Sequence, residues 1–440
     1  MNHDYQHAPI DPQSAALLAT QGLEFRVVDS TNREEFANWV QAEARGFHDG
    51  VEPEDTIAAQ FEGLTYRRST GVWDATAAEP HMPVASVSSF PTDITVPGRR
   101  AVNAWAISAV TVSPTHRRKG IARAMLESEL RTAVSLGHSI AALTVSEATI
   151  YGRFGFSPAA LAANYSIDSR RVSWTGAEAS GRVHFVSLEE IRRTGPALME
   201  QTRLDTPGEI APWPLLWDRW LGVFGDPAVA KKLRAVRYDD ADGVTQGFAI
   251  YSMLESETVP FGYSLDLKYL SAITPDAYAG LWQFLLAIDL VSEIRAPLRS
   301  TDEAFRWQVS DFRGVAKTRE TDHLWTRILD VPAALTARAY AAPGTLVLRV
   351  SDPLGFAEGD FVVTVGADGE ATSESLSGDV PDDAAVVSLS VNDLSSLYLG
   401  GVSAVTLVRA GRMTEETPGA AVAVDAAFHS PVTPWLSIWF

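Results

Sequence analysis

The densest group of residues able to do chemistry runs Val110-Thr111-Val112-Ser113-Pro114-Thr115-His116-Arg117-Arg118-Lys119-Gly120-Ile121-Ala122-Arg123. A Val-rich strand enters a turn, the turn ends on Gly120, and an apolar helix begins at Ile121. Such a helix start presents unpaired backbone N–H groups and the positive end of the helix dipole. Gly120 and Ala122 leave room for a phosphate to approach the backbone. Arg117, Arg118, Lys119 and Arg123 add positive charge, so the segment reads as a local pyrophosphate cradle. Neither Gly-x4-Gly-Lys-Ser/Thr nor Gly-x-Gly-x-x-Gly occurs there, which separates it from P-loop and Rossmann sites. His116, within the turn, reads as a surface residue rather than a base.

Downstream stands Ser146-Glu147-Ala148-Thr149-Ile150-Tyr151-Gly152-Arg153-Phe154-Gly155-Phe156, which carries a phenol at Tyr151. The chain ends Pro434-Trp435-Leu436-Ser437-Ile438-Trp439-Phe440. Chain ends are usually polar and frayed; one this aromatic should be buried, and it brings a carboxylate with it.

The elements that must position these groups follow from periodicity. Leu23–Val28 alternates as a strand, and a helix follows from Asn32. Val84–Phe90 and Ala101–Val112 read as strands, Ile121–Leu136 as an amphipathic helix, and Ile140–Val145 as another strand. Strands alternating with helices indicate an α/β or α+β domain. A second unit contains the strand Leu267–Thr274, a Pro275 turn and an apolar helix over Leu281–Leu290. This repeats the strand, Pro-containing turn and helix of the first unit, as a weak internal repeat. A third unit opens with a helix at Val331–Leu335, with Pro at its first turn. Strands at Gly344–Val350, Asp360–Val365 and Ala385–Leu389 follow, then a helix at Val391–Leu399 and a helix or strand at Ala404–Ala410. The expected boundaries are a poorly ordered lead-in over 1–22, then units over 23–164, 165–326 and 327–440.

Composition narrows the class. The 440 residues carry 36 Lys+Arg against 55 Asp+Glu, a formal net charge of −19, and no cysteine. Zero Cys excludes disulfides, Cys-ligated metal and a Cys nucleophile. The acidic balance argues against general nucleic-acid binding and suits cationic small molecules. No apolar run approaches the roughly 20 residues of a spanning helix, and no basic n-region precedes an apolar core; a cytoplasmic, non-membrane protein is expected. Between Ser351 and Gly400 lie ten acidic residues and no Lys or Arg, the acidic face of a folded domain.

Arg117-x-x-Gly120-x-Ala122 after a Val-rich strand resembles the coenzyme A pyrophosphate loop of the GCN5-related N-acetyltransferases, and Tyr151-Gly-Arg-Phe-Gly-Phe156 fits the Tyr-x-x-x-Gly-Phe ending of that fold. The whole chain resembles, in order, the Eis (enhanced intracellular survival) family. The stretches that carry this are Ser113–Gly120, Ser146-Glu147 with Ile150–Gly155, Leu324-Trp-Thr-Arg-Ile with Val331-Pro-Ala-Ala-Leu335, Ser396-Leu-Tyr-Leu-Gly400, and Asp425-Ala-Ala-Phe428 before a terminal Phe440. The resemblance implies an α+β chain of two tandem acetyltransferase folds and a sterol-carrier-protein-like domain, assembled as a homohexamer. It implies acetyl-CoA as co-substrate, bound by the first fold alone. The second has Pro275–Leu281 where the basic loop should be, with no Lys or Arg to compensate a pyrophosphate.

By the same resemblance, the pantetheine arm lies where two strands splay, a backbone amide of Val110–Val112 polarises the acetyl carbonyl, and Ser146 and Glu147 flank the cofactor. Tyr151 is the general acid, its ordinary pKa of about 10 close to that of the departing thiol. The Phe440 carboxylate is the general base, and Asp49 matches an acidic position of the substrate pocket. Direct transfer needs neither metal nor Cys. Substrates would be polyamine- or aminoglycoside-type amines, or lysine. Relatives can carry an acidic residue before the terminal Phe. Trp439 stands there instead, which weighs against broad polycation specificity and favours a flatter, more apolar substrate. A lipid- or acyl-CoA-binding carrier without turnover is the alternative.

Overall fold

The computed structural model describes residues 4–223, 227–255 and 260–440. They form two compact units, one of residues 4–159, 324–431 and 439–440, the other of residues 160–223, 227–255, 260–323 and 432–438. Among the described residues no helix is long and apolar enough to cross a membrane.

In the first unit the strands β1 (Leu23–Val27), β2 (Arg68–Asp74), β3 (Ala85–Val96) and β4 (Arg100–Val112) are successive antiparallel neighbours. β5 (Ile140–Thr144) lies parallel to β4. Leu324–Ile328, the end of β12 (Val315–Ile328), runs antiparallel along the other side of β5. Around this sheet stand α1 (Pro12–Ala19), α2 (Arg33–Gly46), α3 (Glu54–Leu64) and α4 (Ile121–Ser135). Asn32 starts α2 as foreseen, its side chain accepting from the N–H groups of Glu34 and Glu35. The core gathers Leu18, Phe25, Val87, Trp105, Met125, Leu130 and Phe156. Within it the Glu129 carboxylate receives Trp105 Nε1 at 3.1 Å and pairs with the fully buried Arg68. Removing either partner of such a pair would strand a buried charge.

Among the described residues, 4–22 are packed and not the poorly ordered lead-in expected; residues 1–3 lie outside the described residues. Tyr5 and Leu18 are buried, Tyr5 meets Trp105 edge-on at 6.0 Å, and Asp11 pairs with Arg131 at 2.7 Å. Apolar side chains in an otherwise polar leader give the segment enough buried area to order it.

In the second unit β6 (Ser157–Asp168), β11 (Val291–Arg299), β10 (Tyr263–Ala272), β9 (Thr245–Glu255), β8 (Leu233–Asp239) and β7 (Arg182–Val186) are neighbours in that order. β10 and β11 are parallel, as β4 and β5 are. The helix expected over Leu281–Leu290 starts earlier and ends earlier, at Pro275–Leu286. Thr274 caps it and Pro275 occupies its first turn, which moves the start; Leu290 at φ +64° already turns the chain into β11.

Residues 324–431 contain a five-stranded sheet, β15 (Ala371–Ser375), β14 (Gly359–Val365), β13 (Gly344–Ser351), β16 (Ala385–Ser390) and β17 (Met413–Glu415) in spatial order. The helices Val331–Thr336, Val391–Leu397, Ala404–Arg409 and Ala420–Phe428 accompany it. The sequence does not mark β15, β17 or the last helix as such: β17 has three residues, too few for alternation, and β15, Ala-Thr-Ser-Glu-Ser, is polar after its first residue.

Candidate active site

β4 carries the site. Its pairing with β3 slips near Ala109: Ser86 faces Thr111, whereas Ser88 faces Ser108. Ala109 takes φ +55°, and the Ser86 hydroxyl donates to its carbonyl at 3.0 Å. This is a β-bulge, which bends the strand. On the other side the ladder with β5 extends over Trp105–Ala141 and Ala106–Ala142, after which the strands part. Val110, Thr111 and Val112 lie on the parted stretch of β4, where an amide-containing arm can lie along an open strand edge.

The turn from β4 into α4 is held from below. His116 is buried; its Nδ1 lies 2.8 Å from Thr115 Oγ1 and its Nε2 lies 3.0 Å from Asp74 Oδ2. The His116 hydrogen bond, with those from Thr76, holds the Asp74 carboxyl well below the usual range. The surface role expected for His116 is therefore overturned: its imidazole ties the turn to the end of β2. A lone His beside three cations suggests solvent in one dimension; the tie to residue 74 is a tertiary contact.

Above that tie the helix start is open. Gly120 occupies the N-cap at φ +78°, no side chain caps α4, and a Cβ on Gly120 would meet no atom within 4 Å. Arg117, Arg118 and Lys119 are exposed and form no ion pair among the described residues. Arg123 is paired with Glu127 at 2.7 Å. Ile121 and Ala122 start the helix, so their amides are among the unsatisfied donors. Uncapped donors and uncommitted cations fit a pyrophosphate.

Tyr151 ends the short helix Ala148–Tyr151, with exposed Ser146 and Glu147 just before it. Its ring is buried and meets Phe156 edge-on at 6.3 Å. Burial, with a smaller contribution from Glu147, pushes its hydroxyl up to about 12. The match to a thiol near 10 expected from the sequence is thus not kept; the phenol holds its proton more tightly and is a protonated donor throughout the neutral range.

The turn after Tyr151 is buttressed by residues that sequence reasoning missed. Gly155 has φ +87°, and a Cβ there would lie 2.3 Å from Arg327 Nε. Arg327 donates to the Phe154 carbonyl at 2.8 Å and pairs with Asp352 at 2.6 Å. Asn392 donates to the carbonyls of Gly152 and Phe156, both at 2.8 Å. The glycine of Tyr-x-x-x-Gly-Phe is needed both for its backbone and for the guanidinium against it. The available signal was Arg327 itself, an arginine inside an apolar strand.

Phe440 lies at the end of β5. Thr144 Oγ1 donates to its main-chain oxygen at 2.8 Å, and its ring meets Phe90 edge-on at 6.1 Å. The Arg67 guanidinium sits 4.2 Å over the Phe90 ring. Asp49 is exposed just beyond α2, its N–H bonded to the Ala44 carbonyl at 2.9 Å. Gly46 sets the end of α2 against β4, since a Cβ there would fall 2.5 Å from Thr111 Cβ. Glu43 is a further residue not foreseen. Burial pushes its carboxyl up to about 7, Arg67 opposes this, and Glu52 and Asp49 add to it. Its position was legible: it falls seven, four and three residues after Phe36, Trp39 and Val40, on the buried face of α2.

Comparison with known families defines the class. Acetyltransferase (GNAT) domains match residues 27–159 and 210–328, and a sterol carrier protein domain matches residues 331–437. The chain is therefore an N-acetyltransferase of two GNAT domains followed by a sterol-carrier-like domain. An uncharacterized N-acetyltransferase of Streptomyces avermitilis is 34% identical over 409 residues, 91% of this chain and 95% of the relative. The N-acetyltransferase Eis of Mycobacterium tuberculosis is 33% identical over 355 residues, 77% of this chain and 81% of that protein. The crystal structure of Eis1 from Mycobacterium abscessus superposes with a TM-score of 0.78 at 28% identity, covering 95% of this chain and 100% of that one. The chain belongs to the Eis family of N-acetyltransferases.

Proposed function

We propose that the first GNAT domain transfers the acetyl group of acetyl-CoA directly to a primary amine of a polyamine- or aminoglycoside-type molecule or of a lysine side chain. The observation that carries this reading is the parted β4–β5 pair running into the uncapped, cationic start of α4. In it the pyrophosphate meets the α4 amides with Arg117, Arg118 and Lys119, and the acyl arm lies along Val110–Val112. The Phe440 carboxylate takes a proton from the substrate ammonium, directly or through water. The amine nitrogen bonds to the thioester carbon, a β4 amide donating to the developing oxyanion; the C–S bond breaks as the nitrogen gives up its second proton, which, like the first, passes through the Phe440 carboxylate to solvent. Tyr151 gives its proton to the thiolate and recovers one from solvent. Glu43 and Asp49 draw the cation, and half-exposed Trp439 offers an apolar face.

Thiol release is measured with acetyl-CoA and a panel of amines, with acetyl groups counted by mass. Tyr151→Phe is expected to lower kcat by at least about 100-fold. Removal of Phe440 is expected to lower kcat while leaving acetyl-CoA binding nearly unchanged. Absence of turnover with every amine, or full turnover by both variants, would refute the reading. Assembly into hexamers belongs to the same proposal and is read by mass photometry of the full chain.

A further inference from the structure

In the second unit the parallel ladder of β10 and β11 runs from Tyr263–Val291 to Asp266–Arg295 and ends there. A cavity of about 170 Å³ lies beyond that point, with Thr202, Glu209, Tyr269, Ser271, Arg299 and Trp435 in its wall. Glu209 is 4% exposed. The N–H and hydroxyl of Ser437 serve one of its oxygens; the other, Oε2, has no hydrogen-bond partner among the described residues. The remaining polar groups are committed to one another. Arg203 pairs with Glu200 at 2.7 Å, Arg299 pairs with Glu303 at 3.0 Å, and Thr202 bonds Ser271 at 3.1 Å. Tyr278 donates to Glu303.

One acceptor is left over, and it is charged when the others are balanced: two guanidiniums against three carboxylates leave one negative charge. The phenols of Tyr269 and Tyr278 are raised by burial and stay neutral. Aromatic rings in the wall favour a cation further. A space of about 150 Å³ holds a molecule of benzene's size. We infer that this cavity binds a small primary ammonium, whose N–H donates to Glu209 Oε2 and whose charge offsets that of the carboxylate. A hydroxyl donor alone would leave the buried charge unmatched.

Burial pushes the Glu209 carboxyl up to about 7, with Ser437, Arg299 and Arg203 opposing. The ammonium therefore has to displace a proton below that pH. Affinity is expected to rise about tenfold per pH unit up to near 7 and to level off above it.

The test uses the full chain and n-butylamine. Crystals grown at pH 8 with saturating butylamine should show a butyl chain in the cavity with its nitrogen at hydrogen-bond distance from Glu209 Oε2. Water alone or an empty cavity in those crystals would overturn the inference. In calorimetry at pH 8 the wild-type chain should show one more butylamine site than Glu209→Gln, because the catalytic domain also takes amines. Equal stoichiometry in the two folded chains would also overturn it. If Glu209→Gln fails to fold, the crystals and the pH dependence of wild-type binding decide.

Discussion

In the first GNAT domain the chain passes from β4 into α4 through a turn ending on Gly120, whereas in the second it passes from β10 into the helix Pro275–Leu286 through Thr274. The two joints share a plan and differ at the helix start. At α4 the cap is a glycine without a side chain, the Cβ position is empty, and three cations stand uncommitted. At the second helix Thr274 accepts the Ala277 N–H at 3.1 Å, and Pro275 has no N–H to offer. Asp276 then places a carboxylate in the first turn, where it accepts the N–H and hydroxyl of Ser180, each at 3.0 Å, and the hydroxyl of Tyr238. The donors and dipole that would hold a pyrophosphate are already satisfied, and the charge has the wrong sign. An anion site is what a helix start offers by default. A threonine, a proline and an aspartate remove it without changing the fold, so a match to an acetyltransferase domain over residues 210–328 does not by itself imply a cofactor.

The comparison breaks most visibly if the first joint is given the chemistry of the second. Gly120→Asp keeps a residue type that tolerates the left-handed region but sets a carboxylate at the phosphate position. The KM for acetyl-CoA is expected to rise roughly 100-fold, about 3 kcal/mol, from lost dipole and charge-assisted bonding. Replacing Arg117, Arg118 and Lys119 together with Ala should act in the same direction with the helix start intact. Steady-state thiol release at varied acetyl-CoA checks both; an unchanged KM in both variants would place the pyrophosphate elsewhere.

The converse change at the second joint should touch stability and not catalysis. Thr274→Ala removes a helix cap and is expected to cost about 1 kcal/mol. Acetyl-CoA KM should remain at the wild-type value, since no cation is created. Urea unfolding measures the first quantity and thiol release the second. Gained acetyl-CoA binding in this variant would show that capping alone silences the second domain.

The legibility of these two joints in the sequence was unequal for a physical reason. Arg117-x-x-Gly120-x-Ala122 is a local signal, because the site is made of consecutive backbone and exposed side chains. The absence of Lys and Arg from Pro275–Leu281 was equally local. Thr274 as a cap carries no periodic signal, and apolar periodicity, which strengthens only at Leu281, places the helix start there. His116, Arg327 and Asn392 act through partners 42 to 240 residues away in the chain, Asp74 for His116, the Phe154 carbonyl for Arg327 and Gly152 for Asn392. No window of a single sequence brings those together. The same limit applies to the leader: Tyr5 and Leu18 are ordinary side chains until Trp105 and the core are placed against them.

The smallest expected effect lies in how the two joints answer to acid. The Tyr238 hydroxyl, first, and the Ser180 N–H and hydroxyl hold the Asp276 carboxyl below its usual range. Its hydrogen bonds favour the charged form, so the stability they contribute is present above the ordinary aspartate pKa and is lost as pH falls through the lowered one. Asp276→Asn should therefore lower stability by about 1 kcal/mol at pH 6, a figure discounted for partial exposure. That difference from wild type should shrink as the pH approaches 2. Asp74 is lowered in the same sense by His116 and Thr76, and Asp74→Asn should show the same convergence at the first joint. There it should be accompanied by a higher acetyl-CoA KM at pH 6, because the His116 tie also places the cradle. Urea midpoints at pH 6 and pH 3 for wild type and both variants test the sign. A gap that widens toward acid would mean that the neutral carboxyl is the form that holds these joints together.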